Sequence, residues 1–196
     1  MTSLNIEPAT TQLGELVRAV PDARLGSPTP SDCTVGELLD HVQMLARAFT
    51  GAAEKADDQT TSGPPPPPDA ERLGDDWRGR IPALLNGLSA AWNEPSAWEG
   101  MTRVGGMEMP GEAAGIVALD EVVLHGWDLA VGSGQAYDVS PDLLEALVPF
   151  LKHMAEPGME AARVGLFGPV VRVPENAPLL QRVVGLSGRD PGWRAG

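Results

Sequence analysis

The sequence predicts an all-α protein: a four-helix bundle with an extra C-terminal helix and a short extended tail. Three observations carry this reading. Apolar residues recur at helical spacing in five successive stretches. Helix-start signals stand directly before the second, fourth and fifth of them. One proline-rich connection is long enough to return the chain along a whole helix.

The first stretch, Leu13, Leu16, Val17 and Val20, reads as a helix that begins near Pro8 and closes at Pro21. A turn-rich segment with two prolines, residues 26–32, separates it from the second. Thr34 and Glu37 have the spacing of a capping box, in which each side chain satisfies the other's free backbone N–H. The helix they open carries Leu38, Leu39, Val42, Leu45, Ala46 and Phe49 and runs to about Lys55.

Residues 57–68, DDQTTSGPPPPP, are the only low-complexity segment. Twelve residues of polyproline II span about 37 Å, whereas a 21-residue helix is about 32 Å long. The segment therefore serves as a crossover that lets the second and third helices run parallel, giving an up-down-down-up order. The third helix is expected over residues 69–92, with Leu73, Trp77, Ile81, Leu84, Leu85, Leu88 and Trp92 inward and Pro82 as a kink or restart. Residues 93–109 read as irregular, with Gly105-Gly106 turning two short extended pieces. Pro110 opens a fourth helix that ends near Val131, before Gly132 and Gly134. Ser140 and Pro141 start a fifth that reaches Glu156. Beyond it, Phe167 to Pro174 reads as extended and residues 179–186 as a short helix. The expected organisation is one domain over 1–196, with 57–68 as crossover and 157–196 as C-terminal extension.

Composition narrows function. The formal net charge of −13 opposes binding to nucleic acid, which needs clustered Lys and Arg, and docking on anionic lipid. No run of about 18 apolar residues exists to span a bilayer. The N-terminus lacks the basic start and apolar middle of a secretory signal. Cys33 is the only cysteine, so no internal disulfide forms, and a cytoplasmic setting is expected with Cys33 buried or half-buried.

The informative stretch is residues 116–131, IVALDEVVLHGWDLAV, where only Asp120, Glu121, His125 and Asp128 interrupt an apolar run. A helix without a broad polar face is buried over most of its surface. Glu121 and His125, four apart, share one face, and Asp128 follows three residues later on the same stripe. A buried carboxylate needs a compensating partner. The second helix also places a histidine, His41, at the margin of its apolar face. Two imidazoles and one carboxylate suit Zn²⁺, Ni²⁺ or Fe²⁺. Three protein ligands also leave a position for water or substrate. The alternative is an ion pair between Glu121 and an arginine such as Arg47 or Arg103. Glu37 is occupied as a cap partner, and His153 reads as a surface residue. The Glu-x-x-His pairs of a di-iron centre, the zinc-protease helix, the hydrolase elbow and the phosphate loop are all missing.

Two phrases, Thr34-Val-Gly-Glu-Leu-Leu-Asp-His-Val42 and Glu121-Val-Val-Leu-His-Gly-Trp-Asp-Leu-Ala130, continue into Gly132-Ser-Gly-Gln135, Phe167-Gly-Pro169 and Ser187-Gly-Arg-Asp-Pro191. As an ordered set they resemble the actinobacterial branch of the DinB-like superfamily, related to the N-terminal domain of mycothiol-dependent maleylpyruvate isomerase. The resemblance implies a DinB-like bundle with a divalent metal at one end of its core, the ligands falling on His41, Glu121 and His125. It further implies metal-dependent chemistry with a low-molecular-weight thiol such as mycothiol: transfer, detoxification or isomerisation. Zn²⁺ is the first expectation and Ni²⁺ or Fe²⁺ the others. Around the cofactor, Asp128 is the candidate to orient an imidazole N–H and Trp127 to wall the pocket. A small-molecule substrate or thiol is the expected partner, a homodimer is in keeping with the superfamily, and a non-catalytic metal- or ligand-binding module is the alternative function. At 196 residues the chain is expected to lack the further C-terminal domain that contributes to the isomerase's active site.

Overall fold

The computed structural model describes residues 4–195. Four long helices form its centre: α1 (Glu7–Ala19), α2 (Val35–Ala53), α3 (Trp77–Trp92) and α4 (Gly111–Ser133). Strands β1 (Met101–Val104) and β2 (Met107–Pro110) pair antiparallel between α3 and α4, joined through Gly105-Gly106. Then follow α5 (Pro141–Met154), the single turn α6 (Glu160–Arg163) and α7 (Leu179–Leu186).

Individual contacts fix the helix directions. Gly14 in α1 faces Pro82 in α3, and the Arg78 guanidinium at the start of α3 donates to the Val20 carbonyl just past α1. Those two helices are antiparallel. Gln43 accepts from Arg80, and further along the Trp92 indole donates to the Phe49 carbonyl, so α2 and α3 are parallel. Val35 packs beside Gly132 while His41 meets His125, so α2 and α4 are antiparallel. The result is the up-down-down-up bundle. Each of α1 and α2 lies against both α3 and α4.

Local chemistry explains the boundaries. Thr34 and Glu37 close the capping box reciprocally, the Thr34 N–H reaching Glu37 at 2.7 Å. Asp40, although buried in α2, accepts from the Asp69 N–H and the Arg72 guanidinium, which ties the far end of the crossover to the helix it passes. The expected third helix over 69–92 is shorter. Ala70–Leu73 form one 3-10 turn, and Gly74 at φ +64° breaks the chain direction before α3 opens at Trp77. Only glycine takes that backbone region without strain. Pro82 lies inside α3, where it supplies no N–H to the Arg78 carbonyl one turn back. α4 runs two residues past the expected end and is closed by Gly134 in the left-handed conformation. α6 has no forerunner in the sequence pattern, and no strand forms over 167–174.

The core is filled by Leu13, Leu38, Leu39, Ile81, Leu85, Leu88, Trp92, Leu119 and Leu129, all essentially inaccessible. α4 approaches its neighbours closely. A Cβ at Gly115 would lie 2.4 Å from the Trp98 ring, and one at Gly126 2.5 Å from the Tyr137 hydroxyl. The tail folds back across α5, with the Arg163 guanidinium donating to the carbonyls of Met154, Gly168 and Leu186. Among the described residues no helix is long and apolar enough to cross a membrane.

These close approaches generate a prediction. Gly115→Ala should lower unfolding stability by about 1–3 kcal/mol through overpacking against Trp98 and Trp92. Thr34→Ala should cost about 1 kcal/mol through the lost cap. Urea unfolding followed by circular dichroism checks both, and an unchanged midpoint for Gly115→Ala would contradict the packing described.

Candidate metal centre

α2 and α4 bring three side chains together near the middle of their shared interface. His41, Glu121 and His125 each offer one ligand atom, and these atoms lie within 4.8 Å of one another. The arrangement follows from helical period. Glu121 and His125 sit one turn apart on α4, and the antiparallel crossing sets His41 of α2 edge-on to His125, with ring centroids 5.0 Å apart. Glu121 Oε2 is 2.9 Å from His125 Nε2. The other imidazole nitrogen, Nδ1, is 3.1 Å from Asp128 Oδ2. His125 therefore presents Nε2 towards Glu121 and His41, its tautomer and ring orientation held by Asp128 from behind.

Asp128 is itself fully buried, and Arg189 answers its charge. The Arg189 Nε and guanidinium nitrogens reach the two Asp128 oxygens at 2.8–3.0 Å. Arg189 comes from the segment after α7 and is fixed further by the Ser187 hydroxyl. A line of polar groups thus runs from the tail to the three-residue cluster: Arg189, Asp128, His125, Glu121.

The titration behaviour follows from burial and from this line. Burial lowers His125, but hydrogen bonds and charge from Asp128 and Glu121 outweigh it and raise it to about 9. Burial lowers His41 to about 4, helped by the neighbouring His125. Burial raises Glu121, yet the hydrogen bond and charge of His125, with His41 and Arg189 behind, leave it below the ordinary glutamate range. Asp120 is pushed well up by burial and then by the Glu121 charge, which favours its neutral acid. Two buried atoms, His41 Nδ1 and Asp120 Oδ1, have no hydrogen-bond partner.

The donor set fits a divalent cation. Zn²⁺ binds imidazole nitrogen and carboxylate oxygen at about 2.0–2.2 Å, so three donor atoms within 4.8 Å of one another would close on one ion through small side-chain rotations. His41 keeps a buried imidazole nitrogen, Nδ1, without a hydrogen-bond partner among the described residues, whereas Glu121 is already paired with His125 Nε2. The neutralising ion pair with Arg47 or Arg103 does not form. Arg103 pairs with Asp57 and Glu108, and Arg47 has no carboxylate within 4 Å among the described residues. Glu37 stays in its cap and His153 lies at the surface beside Glu156. Trp127 follows His125 by two positions, a rotation of about 200°, so its buried ring stands on the opposite side of α4 from the imidazole. Cys33 is half-buried among Thr29 and Ser31.

Arg189 is the participant that sequence reasoning missed. The available signal was charge arithmetic: a buried stripe bearing two carboxylates, Glu121 and Asp128, has one histidine between them and no Lys or Arg on α4 to balance the second. The space around the cluster is tight. A gap of about 10 Å³ opens on Glu121 among Leu45, Ala118 and Val122. A cavity of about 490 Å³ lies between α1 and the start of α5, lined by residues that include Glu7, Glu15 and Asp138 and none of the three ligand residues.

Residues 6–130 match the family described as Mycothiol maleylpyruvate isomerase N-terminal domain. No curated protein matches the sequence. Two solved structures are similar. One is a histidine-to-alanine mutant of the mycothiol-dependent maleylpyruvate isomerase (TM-score 0.62, 16% identity). The other is the mycothiol-dependent maleylpyruvate isomerase itself (TM-score 0.53, 17% identity). Each covers 95% of this chain and 78% of its own. At that identity the solved structures establish the shared DinB-like helical fold, while the sequence match extends from α1 through the second histidine and past Asp128. The chain belongs to the family of the mycothiol maleylpyruvate isomerase N-terminal domain.

Proposed function

We propose that the protein holds one divalent metal ion through His41, Glu121 and His125 and acts with a low-molecular-weight thiol, mycothiol or a close analogue, in a transfer, detoxification or isomerisation reaction. The single observation that carries this is the convergence of three ligand atoms from two helices within 4.8 Å. Zn²⁺ is the first choice for two imidazoles and a carboxylate, with Ni²⁺ or Fe²⁺ next. Such an ion supplies Lewis acidity, which lowers the pKa of a thiol or water bound beside it. The chain's own part is to orient and to insulate. Asp128 holds His125 by Nδ1 and turns Nε2 towards Glu121, where it would bind the ion once its proton leaves, and Arg189 prevents Asp128 from being left as an uncompensated buried charge. Leu45, Ala118 and Val122 line the narrow gap beside Glu121, which stays half-buried. The reading places the whole of 1–196 in one metal-binding domain acting in the cytoplasm.

A second reading, a non-catalytic metal- or ligand-binding module, is favoured by the tightness of the gap beside Glu121. Purified full-length protein distinguishes the two. Metal content is measured first, followed by metal-dependent consumption of thiol with an added electrophile. Bound metal with no thiol binding at millimolar concentration selects the module.

Three outcomes are expected. Chelation should lower the melting temperature, because a ligand at a hundredfold excess over its dissociation constant adds about 2.7 kcal/mol. His41→Ala and His125→Ala should abolish that shift, and a shift unchanged in both variants would rule out this site. Asp128→Asn should weaken metal binding about 10- to 100-fold while the three ligand residues remain, as second partners of a metal-bound imidazole do; competition with a chromophoric chelator reads this. Affinity should also rise with pH. His125 carries a proton up to about pH 9 that must leave before Nε2 can bind, whereas His41, at about 4, is already neutral. About one proton per ion is then released, and affinity increases about tenfold per pH unit between 6 and 8. Calorimetry in buffers of different ionisation enthalpy measures this, and zero proton release would show that His125 is not a ligand.

A further inference from the structure

Beside the metal triad lies a second, more open space of about 190 Å³. Met44, Leu45 and Ala48 of α2 form its floor, Pro65 and Pro66 of the crossover one wall, and Val104 of β1 another. Its lining is chiefly apolar, and Arg47 stands at its rim. On α2, positions 41, 44, 45 and 48 share one face, so the floor continues the stripe that carries His41 and ends about 10 Å from it. Leu45 is the common wall, bordering both this cleft and the narrow gap onto which Glu121 opens.

Charge gives the cleft its selectivity. Ion pairs hold Arg72, Arg78, Arg80, Arg103 and Arg189. Arg47 is exposed and has no carboxylate partner among the described residues, in a chain of formal net charge −13. An unpaired guanidinium beside an apolar wall fits a ligand with an apolar body and an anionic end, since guanidinium and carboxylate match as a two-pronged pair. A cavity of about 150 Å³ suffices for a benzene ring, so this one takes a body of about one ring.

We infer that the cleft between α2, the proline-rich crossover and the β1–β2 turn binds the second substrate of the proposed reaction, a small apolar carboxylate whose acid group meets Arg47. The assignment of this ligand as substrate rests on the metal–thiol reading; the binding itself does not. A polar thiol cofactor gains little from such a lining, whereas an aryl or short alkyl acid buries its body there and places it one helical turn from His41.

The test uses the full chain, with and without Zn²⁺, titrated with phenylacetate and with its uncharged analogue phenylacetamide by ligand-detected NMR. Phenylacetate should bind more tightly by about fivefold, the scale of one rim-exposed ion pair. Arg47→Gln should remove that preference while leaving phenylacetamide unchanged, and Ala48→Phe, which fills the floor, should remove binding of both. Because Arg47 is a surface residue outside the core, Arg47→Gln decides the matter even if Ala48→Phe fails to fold. Equal affinity for acid and amide, no binding of either, or an undiminished preference in Arg47→Gln overturns the assignment. The two readings fail separately. An Arg47-dependent preference in a protein that neither binds metal nor consumes thiol keeps the cleft and removes the enzyme. Metal-dependent thiol consumption with no such preference removes the cleft and keeps the enzyme.

Discussion

Glu121, His125 and Asp128 occupy one buried stripe of α4, and the arrangement of everything around that helix answers to their charge. A carboxylate taken from water without a partner costs several kcal/mol or loses its charge. Here the two carboxylates face the raised imidazolium of His125 on one side and the guanidinium of Arg189 on the other. Asp120 departs from this pattern by favouring its neutral acid. The four groups form a nearly balanced set inside an otherwise apolar helix, which accounts for α4 tolerating them in the core.

The bundle order serves the same end. A proline-rich crossover that returns the chain beside α2 leaves α2 and α4 antiparallel neighbours, and that pairing puts His41 opposite His125. Asp40, adjacent to His41, fastens the crossover through Asp69 and Arg72. The rigidity of α2 around His41 and the path of the loop are thus one piece of construction, and the walls of the cleft lined by Pro65 and Pro66 follow from it. Glycines at 115 and 126 let Trp98 and Tyr137 close over α4, excluding water from its inner faces.

Much of this was legible in the residues. Helical periodicity, the Thr34–Glu37 capping box and the length of residues 57–68 gave the four principal helices and their order. The four-residue spacing of Glu121 and His125, with His41 on an apolar face, singled out the cluster before any coordinates. The failures have definite causes. The start of α3 was placed too early because apolar Leu73 continues the helical period, and only the positive φ of Gly74 reveals the break. Trp127, the candidate pocket wall, is buried and lies about 200° around α4 from His125. Arg189 lies 61 positions and three helices beyond Asp128, and no local pattern encodes a contact of that range.

That long reach also orders events during synthesis. A nascent chain carries both histidines and Glu121 well before it carries Arg189, and until the tail arrives the Asp128 carboxylate has no guanidinium to accept it. α7 packs on α5, and Arg189 just beyond it holds Asp128 and, through Asp128, the His125 ring. A segment that looks like an appendage to the four helices is in this sense the clasp that closes them.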